Sequence, residues 1–207
     1  MIPVKRAPEP LGFHASVREK GRAWLVAHAL PLSGPLPPTS EPNEYWKNIL
    51  DDLKNAYGDI CAFAAVRMGP VLSCPTVEHF KPKSLYAEHI YEWDNYRLVC
   101  STLNSIKRNF EDVLDPCEIA EGTFELDAAL LIHPGATTVD PLRQRAEGTI
   151  NRLKLNRPDR IALRAMYWTD YLTKDITARY LRRCSPFVAR EMERLGLLDP
   201  THEGYRP

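Results

Sequence analysis

The sequence lacks any apolar run approaching the ~20 residues that a helix needs to cross a bilayer. It also lacks an apolar stretch after the charged residues Lys5 and Arg6, so we expect no signal peptide. Cysteine is scarce: the five cysteines are an odd number at irregular spacing, which argues against a disulfide framework. These absences predict a cytoplasmic protein with reduced thiols and no membrane partner.

The chain also lacks a net charge, because 27 Lys and Arg balance 27 Asp and Glu. This balance argues against a strong non-specific affinity of the whole surface for nucleic acid. The charges are nevertheless unevenly distributed: residues 1–140 carry −6, residues 141–207 carry +6, and residues 111–140 alone carry −8. The basic C-terminal part is therefore either a phosphate-facing strip or a solvated helical surface.

The N-terminal part is dominated by proline, with seven in residues 1–39, which predicts an extended arm and loops interrupted by one short helix over Arg18–Ala29. A stronger helix is expected to begin at Ser40, a good N-cap residue, with Pro42 in its first turn. Apolar residues at helical spacing continue this helix to Tyr57, and Gly58 ends it.

The middle of the chain alternates strand and helix signals over about 50 residues. Apolar runs predict strands over residues 60–68 and 71–80, and a third strand over Tyr96–Cys100. A helix over Ser101–Phe110 is expected to follow directly, with Ser101 as its cap. Residues 124–131 are a possible further strand, and the remainder predicts a helical tail.

The pattern predicts an α+β protein with a small ββα core embedded in a mostly helical chain. Its length, with 44% hydrophobic and 26% charged residues, suits a soluble domain with appendages. We predict that residues 1–58 form a Pro-rich arm and a helix packed on the core. Residues 59–117 form the core, and residues 118–207 form an acidic linker and a helical C-terminal region of the same globular unit.

Chemistry-bearing residues concentrate in this middle segment. Glu78 and His79 end an apolar run, and Pro82-Lys83-Ser84 follows them. Trp93-Asp94-Asn95 precedes the third strand, and Asn104 and Lys107 share one face of the next helix. Cleaving a phosphodiester requires an activated water, a base that takes its proton, and positive charge near the phosphate oxygens. A carboxylate and a neutral oxygen suit one hard metal ion.

This order of residues resembles the ββα-metal site of HNH endonucleases, whose core is treble-clef-like. The resemblance implies that Glu78 is a metal ligand and that His79 is the general base. It implies that Asn95 holds the hairpin together and orients the histidine through its own backbone carbonyl. Asn104 stands at the position of the second metal ligand, and Lys107 is placed to reach a phosphate. His89 is a weaker candidate, and Glu111 is either an extra ligand or a solvated residue.

Several residues depart from the family pattern. Many HNH proteins bind a structural zinc through two Cys-x-x-Cys pairs, but here Ala64 replaces the partner of Cys61 and Leu103 replaces the partner of Cys100. We therefore expect a variant without structural zinc, in which both cysteines are small buried apolar residues. The expected cofactor is one divalent ion at the site, Mg²⁺ or alternatively Mn²⁺.

The resemblance implies a metal-dependent endonuclease that acts on DNA. The whole chain also resembles, more loosely, the bacterial HNH nuclease subunits of Septu-type anti-phage systems, which work with an ATPase. Two alternatives stay open: a catalytically degenerate HNH-like module that binds nucleic acid or another protein, and a nuclease that is active only with an ATPase partner. Each candidate residue taken alone also fits a packing, capping or turn role.

Overall fold

A computed structural model describes residues 1–69 and 74–199 of the chain. Within this part the chain is α+β, as predicted, with seven α-helices and two small antiparallel sheets. No helix among the described residues has the length and apolar character that crossing a membrane requires. The helices are α1 Glu19–Ala27, α2 Leu50–Tyr57, α3 Ser101–Lys107, α4 Leu142–Arg152, α5 Pro158–Leu172, α6 Ala178–Cys184 and α7 Pro186–Arg194; the strands are β1 Pro75–His79, β2 Tyr96–Cys100, β3 Phe124–Leu126 and β4 Ile132–Pro134.

The chain divides into two compact units. We name the first the cleft unit, after the cleft that it contains; it comprises Lys5–Asp59 and Met68–Glu111. The second, the helical unit, comprises Met1–Val4, Ile60–Arg67 and the part from Asp112 onward. These boundaries differ from the divisions expected at residues 58 and 117, because Ile60–Arg67 belongs with the C-terminal part. The three-segment division stays a prediction.

The cleft unit is built on the β1–β2 pair. The two strands are antiparallel, with Pro75 opposite Cys100 and His79 opposite Tyr96. Pro75 is tolerated because it is the first residue of its strand. Helix α3 follows β2 without a break and packs on both strands. The strand ends and the start of α3 are thereby held together by local connections.

The predicted helices of the cleft unit are present, with different beginnings. The first starts with one π-helical turn over His14–Arg18 and continues as α1. The second starts as a 3₁₀ turn at Tyr45, so Ser40 does not cap it. It ends as expected at Gly58, whose φ of +58° is the left-handed conformation that glycine tolerates.

Three other local predictions are corrected. Residues 60–68 do not form a continuous strand, since Ile60 pairs with Arg67 across a tight turn. The predicted strand over residues 71–80 is β1, Pro75–His79; residues 71–73 lie outside the described part. Helix α3 ends at Lys107 and has no side-chain cap at its start, so Ser101 is its first residue rather than its cap.

The helical unit contains the β3–β4 hairpin and helices α4–α7. Its acidic and basic segments pair with each other: Arg152 contacts Asp112 at 2.7 Å, and Arg190 contacts Glu121 at 2.8 Å. Arg190 also pairs at 2.7 Å with Glu191, which is fully buried. Part of the basic surface expected to face phosphate or solvent is therefore engaged with carboxylates of its own unit.

Gly21 provides a test of packing in the cleft unit. A Cβ atom at this position of α1 would lie 2.2 Å from Cγ of Tyr91, a buried ring. Gly21→Ala should therefore lower the free energy of unfolding by roughly 1–3 kcal/mol, even though alanine favours a helix. The matched control is Gly148→Ala in α4, where nothing lies within 4 Å. This control should raise stability by about 0.5–1 kcal/mol. Thermal unfolding followed by circular dichroism measures both, and equal shifts would contradict the close contact.

Candidate active site

Three of the five residues predicted for the site line one cleft in the cleft unit. The cleft has a volume of about 210 Å³, and its wall includes Glu78, His79 and Asn104. Glu78 and His79 are neighbours on β1, where successive side chains normally point to opposite faces. Both nevertheless line the cleft, as does Val77 before them. Asn104 enters from the second turn of α3.

His79 is held in one orientation by three neighbours. Its Nε2 lies 2.9 Å from the carbonyl oxygen of Ile90, which can only accept a hydrogen bond, so Nε2 carries the proton. In the neutral ring Nδ1 then keeps its lone pair. The rings of Trp46 and Tyr96 meet the imidazole edge-on, at centroid distances of 4.6 and 5.1 Å. Burial lowers the pKa of His79 to about 3, so the imidazole is neutral at physiological pH.

Asn95 acts on His79 indirectly. Its side-chain oxygen accepts the Lys81 N–H at 2.7 Å, and its amide group donates to the carbonyls of Lys81 and His89, both at 3.0 Å. These bonds join the segment after His79 to the loop that contains Ile90. The expectation that the Asn95 carbonyl orients the histidine is not met, because that carbonyl accepts the Phe80 N–H and the Ile90 carbonyl contacts the imidazole.

The amide orientation of Asn104 follows from its neighbours. The Thr76 hydroxyl donates its single hydrogen to the carbonyl of Val99 at 2.9 Å. It can therefore only accept from Asn104, whose Nδ2 lies 3.0 Å away. This chain of bonds leaves the Oδ1 oxygen of Asn104 available as a neutral ligand.

Glu78 forms a buried ion pair with Lys107. The Nζ atom of Lys107 lies 2.7 Å from Oε1 of Glu78 and 2.8 Å from the carbonyl oxygen of Phe80. Both side chains are almost inaccessible, at 4% exposure for Glu78 and 0% for Lys107. Burial raises the pKa of Glu78 to about 7, and the charge of Lys107 opposes this rise.

The position of Lys107 therefore differs from the one predicted from the sequence. It was expected to reach a phosphate, but it is fully buried and does not line the cleft. Its ammonium group instead neutralises the carboxylate of Glu78 from the protein side. Asn104 and Lys107 share one face of α3, as their spacing predicted. The strands cover that face at Lys107.

The remaining candidates lie outside the cleft wall. His89 contacts the Nζ atom of Lys81 at 3.0 Å, and exposed Glu111 accepts a hydrogen bond from Tyr86 at 2.7 Å. Among the two cysteines expected to be buried apolar residues, Cys61 is buried but Cys100 is partly exposed. Over residues 1–69 and 74–199, no three His, Cys, Asp or Glu side chains converge as a metal-binding group.

The oxygen atoms of Glu78 and Asn104 fit one hard divalent ion. Carboxylate and amide oxygens are ligands of Mg²⁺, which keeps several waters when the protein supplies only one or two groups. Oε1 of Glu78 is engaged by Lys107, which leaves Oε2 for the ion, and the hydrogen-bond chain frees Oδ1 of Asn104. The donor set is thus small but chemically suitable.

Several residues that shape the site were not identified from the sequence. Trp46 packs against the imidazole, Thr76 sets the amide of Asn104, and the Ile90 carbonyl sets the tautomer of His79. These contacts join segments that are far apart in sequence, so no local sequence motif predicts them. Lys83 and Arg108 also line the cleft. Of these two residues, only Lys83 could have been suspected from the sequence, because it belongs to the Pro-Lys-Ser segment after His79.

Comparison with known proteins adds no identification: no protein-family model matches the chain, and no curated protein matches it.

The two perturbed groups make opposite contributions to stability as pH changes. The folded-state pKa of Glu78, about 7, lies above its usual 4.5, so its stabilising contribution is lost as pH rises through this range. The folded-state pKa of His79, about 3, lies below its usual 6.5, so its contribution is lost as pH falls through that range. The two effects oppose each other where the ranges overlap.

Replacing Glu78 by glutamine should therefore remove its contribution to the pH dependence of stability and leave that of His79. Between about pH 4.5 and 7, metal-free Glu78→Gln should gain stability relative to the native protein, by a total of up to about 3 kcal/mol. Replacing a protonated carboxyl by an amide shifts the stability of the variant by a nearly constant amount, so the change with pH is the informative quantity. Urea unfolding in EDTA at both ends of the range measures it. A constant difference would contradict the raised pKa of Glu78.

Proposed function

We propose that this protein is a metal-dependent HNH-type endonuclease that hydrolyses phosphodiester bonds of DNA. The observation that carries the proposal is the shared cleft of His79, Glu78 and Asn104, in which Nδ1 of the imidazole keeps its lone pair. A neutral base beside two oxygen ligands for a metal ion provides the groups that metal-dependent hydrolysis of a phosphodiester uses. The order of these residues along the chain resembles the HNH pattern.

In this proposal Nδ1 of His79 accepts a proton from the attacking water. The bond from Nε2 to the Ile90 carbonyl keeps the ring in the tautomer that can do so, and stabilises the imidazolium once the proton arrives. Asn95 positions that carbonyl through its bonds to Lys81 and His89. Asn95 is thus a positioning residue.

Glu78 and Asn104 would hold the divalent ion, Mg²⁺ or Mn²⁺. When bound, this ion supplies positive charge to the phosphate oxygens and to the leaving group. Lys107 favours the charged form of Glu78 by pairing with its other oxygen. Its role is to prepare the ligand rather than to contact the substrate.

The testing experiment is cleavage of supercoiled plasmid DNA with Mg²⁺, Mn²⁺ or EDTA. The proposal expects nicking with either ion and none in EDTA. Binding of Mn²⁺ is measured in parallel by electron paramagnetic resonance on the native protein and on Glu78→Gln. Weak or absent binding by the native protein, together with no nicking, would favour the degenerate module.

The proposed ATPase partner and defence role rest on the looser resemblance alone. They predict that the isolated protein does not cleave plasmid DNA and becomes active when the ATPase partner is added. Full activity of the isolated protein would remove the need for a partner.

A further inference from the structure

The cleft carries two cations without a compensating acid. Of the two acidic residues in its wall, Glu78 pairs with Lys107 and Glu44 pairs with Lys47. The two basic residues in its wall, Lys83 and Arg108, form no ion pair with any acidic side chain of the described residues. The wall therefore presents an excess of positive charge, which favours an anionic ligand.

Lys83 is directed toward the proposed reaction centre. Its Nζ atom lies 4.8 Å from the centre of the Trp46 ring, close enough for a cation–π contact. The same indole packs edge-on against His79. A phosphate oxygen entering the cleft would meet Lys83 before the buried Lys107.

Arg108 occupies a backbone position that favours glycine. The carbonyl of Lys107 accepts the Phe110 N–H at 3.1 Å, which closes a β-turn with Arg108 as its second residue. The φ of +48° and ψ of −131° at Arg108 match the mirror-image turn in which glycine predominates at this position. A side chain here costs stability, and such strain commonly accompanies functional groups.

We propose that Lys83 and Arg108 bind the phosphates that neighbour the scissile one on the DNA strand. This inference rests on the proposed function and assigns two further substrate-binding residues in the same cleft. An isolated diester carries one negative charge, which the proposed divalent ion alone would balance. Two further unpaired cations match the additional phosphates that only a strand supplies.

The test measures binding without cleavage. Fluorescence anisotropy of a labelled DNA oligonucleotide in EDTA is followed against salt concentration, for the native protein and for Lys83→Gln/Arg108→Gln. Loss of two phosphate contacts should reduce the slope of log affinity against log salt by about 1.4 for a single strand or about 1.8 for a duplex. The matched control is Lys20→Gln/Arg22→Gln, which removes one exposed lysine and one exposed arginine of α1 that do not line the cleft. It should leave the slope unchanged.

A single substitution separates the phosphate role from a structural one. Arg108→Gly relieves the turn, so its melting temperature should rise by a few degrees while its affinity for the oligonucleotide falls. A purely structural arginine would show no loss of affinity. Unchanged binding by both the double variant and Arg108→Gly overturns the inference.

The outcome is independent of whether the protein cleaves DNA. If the native protein binds with the expected salt dependence but nicks nothing, the phosphate site stands and the nuclease proposal fails. If the native protein nicks DNA while the double variant binds and nicks equally well, the nuclease proposal stands and the phosphate site fails. Absence of any oligonucleotide binding by the native protein also overturns the inference.

Discussion

His79→Ala is expected to abolish metal-dependent nicking, with a fall in rate of about 10²–10⁴-fold, the range that a general base contributes. The reason is specific: the Ile90 carbonyl fixes the proton on Nε2, so Nδ1 of His79 is the nitrogen left to accept a proton. The measurement is the initial rate of conversion of supercoiled to open-circular plasmid in Mg²⁺. Exposed His14 lies outside the cleft wall, so His14→Ala should cleave like the native protein.

The alanine variant has a second possible defect, because His79 packs between Trp46 and Tyr96. His79→Gln addresses this, since a glutamine amide can still donate to the Ile90 carbonyl but cannot serve as the base. It should fold, bind Mn²⁺ through Glu78 and Asn104, and fail to nick. Substantial nicking by a folded His79→Gln protein would remove histidine from the mechanism, whatever the alanine variant does.

The sequence predicted the β2–α3 region well because local signals decide it. Apart from Arg97, Tyr96–Cys100 consists of apolar and aromatic residues between a turn and a polar helix, and it forms the strand that this pattern indicates. The same local signals fail at residues 60–68, where the apolar run is buried around a tight turn. Burial explains both segments, but periodicity cannot distinguish a buried strand from a buried turn.

In the candidate site, too, some features follow from local sequence and others depend on tertiary contacts. That Glu78 and His79 border one cleft follows from their adjacency at a strand end, which sequence order reveals. That Lys107 pairs with Glu78 depends on how α3 lies across β1, a tertiary contact 29 residues apart in sequence. Long flexible side chains are the hardest to place from sequence, because a lysine on a helical face reaches either solvent or a buried acid. For this reason Lys107, which was expected to reach a phosphate, is buried against Glu78 instead.

Lys107→Met is the substitution expected to destabilise the fold most. It removes the cation beside a carboxylate that is 4% exposed and leaves Glu78 buried without its partner. Breaking a buried ion pair from one side costs about 3–5 kcal/mol when the other charge remains. The carbonyl of Phe80 also loses its bond from Nζ. Urea unfolding at alkaline pH in EDTA measures the loss, because Glu78 of the native protein is largely charged only above its pKa of about 7.

The loss should depend on pH and on Glu78. At about pH 5 the variant's Glu78 is protonated, so the unpaired charge disappears and the penalty becomes smaller. The second substitution in Lys107→Met/Glu78→Gln removes the charge permanently and should restore most of the stability at alkaline pH. A double-mutant cycle over these proteins isolates the interaction between the two side chains. Equal penalties in the presence and absence of Glu78 would show that Lys107 acts through the backbone carbonyls instead.

The same variants test Glu78 as a metal ligand without measuring activity. If Glu78 coordinates the ion, Mg²⁺ replaces the charge that Lys107→Met removed, and binding to the folded state alone raises its stability. Mg²⁺ should then raise the melting temperature of Lys107→Met more than that of Lys107→Met/Glu78→Gln. Ca²⁺, another hard oxygen-seeking cation, should act in the same direction, whereas equal ionic strength from NaCl should not. An equal response of both variants to Mg²⁺ would place the ion elsewhere and leave Lys107 as the only cation that Glu78 binds.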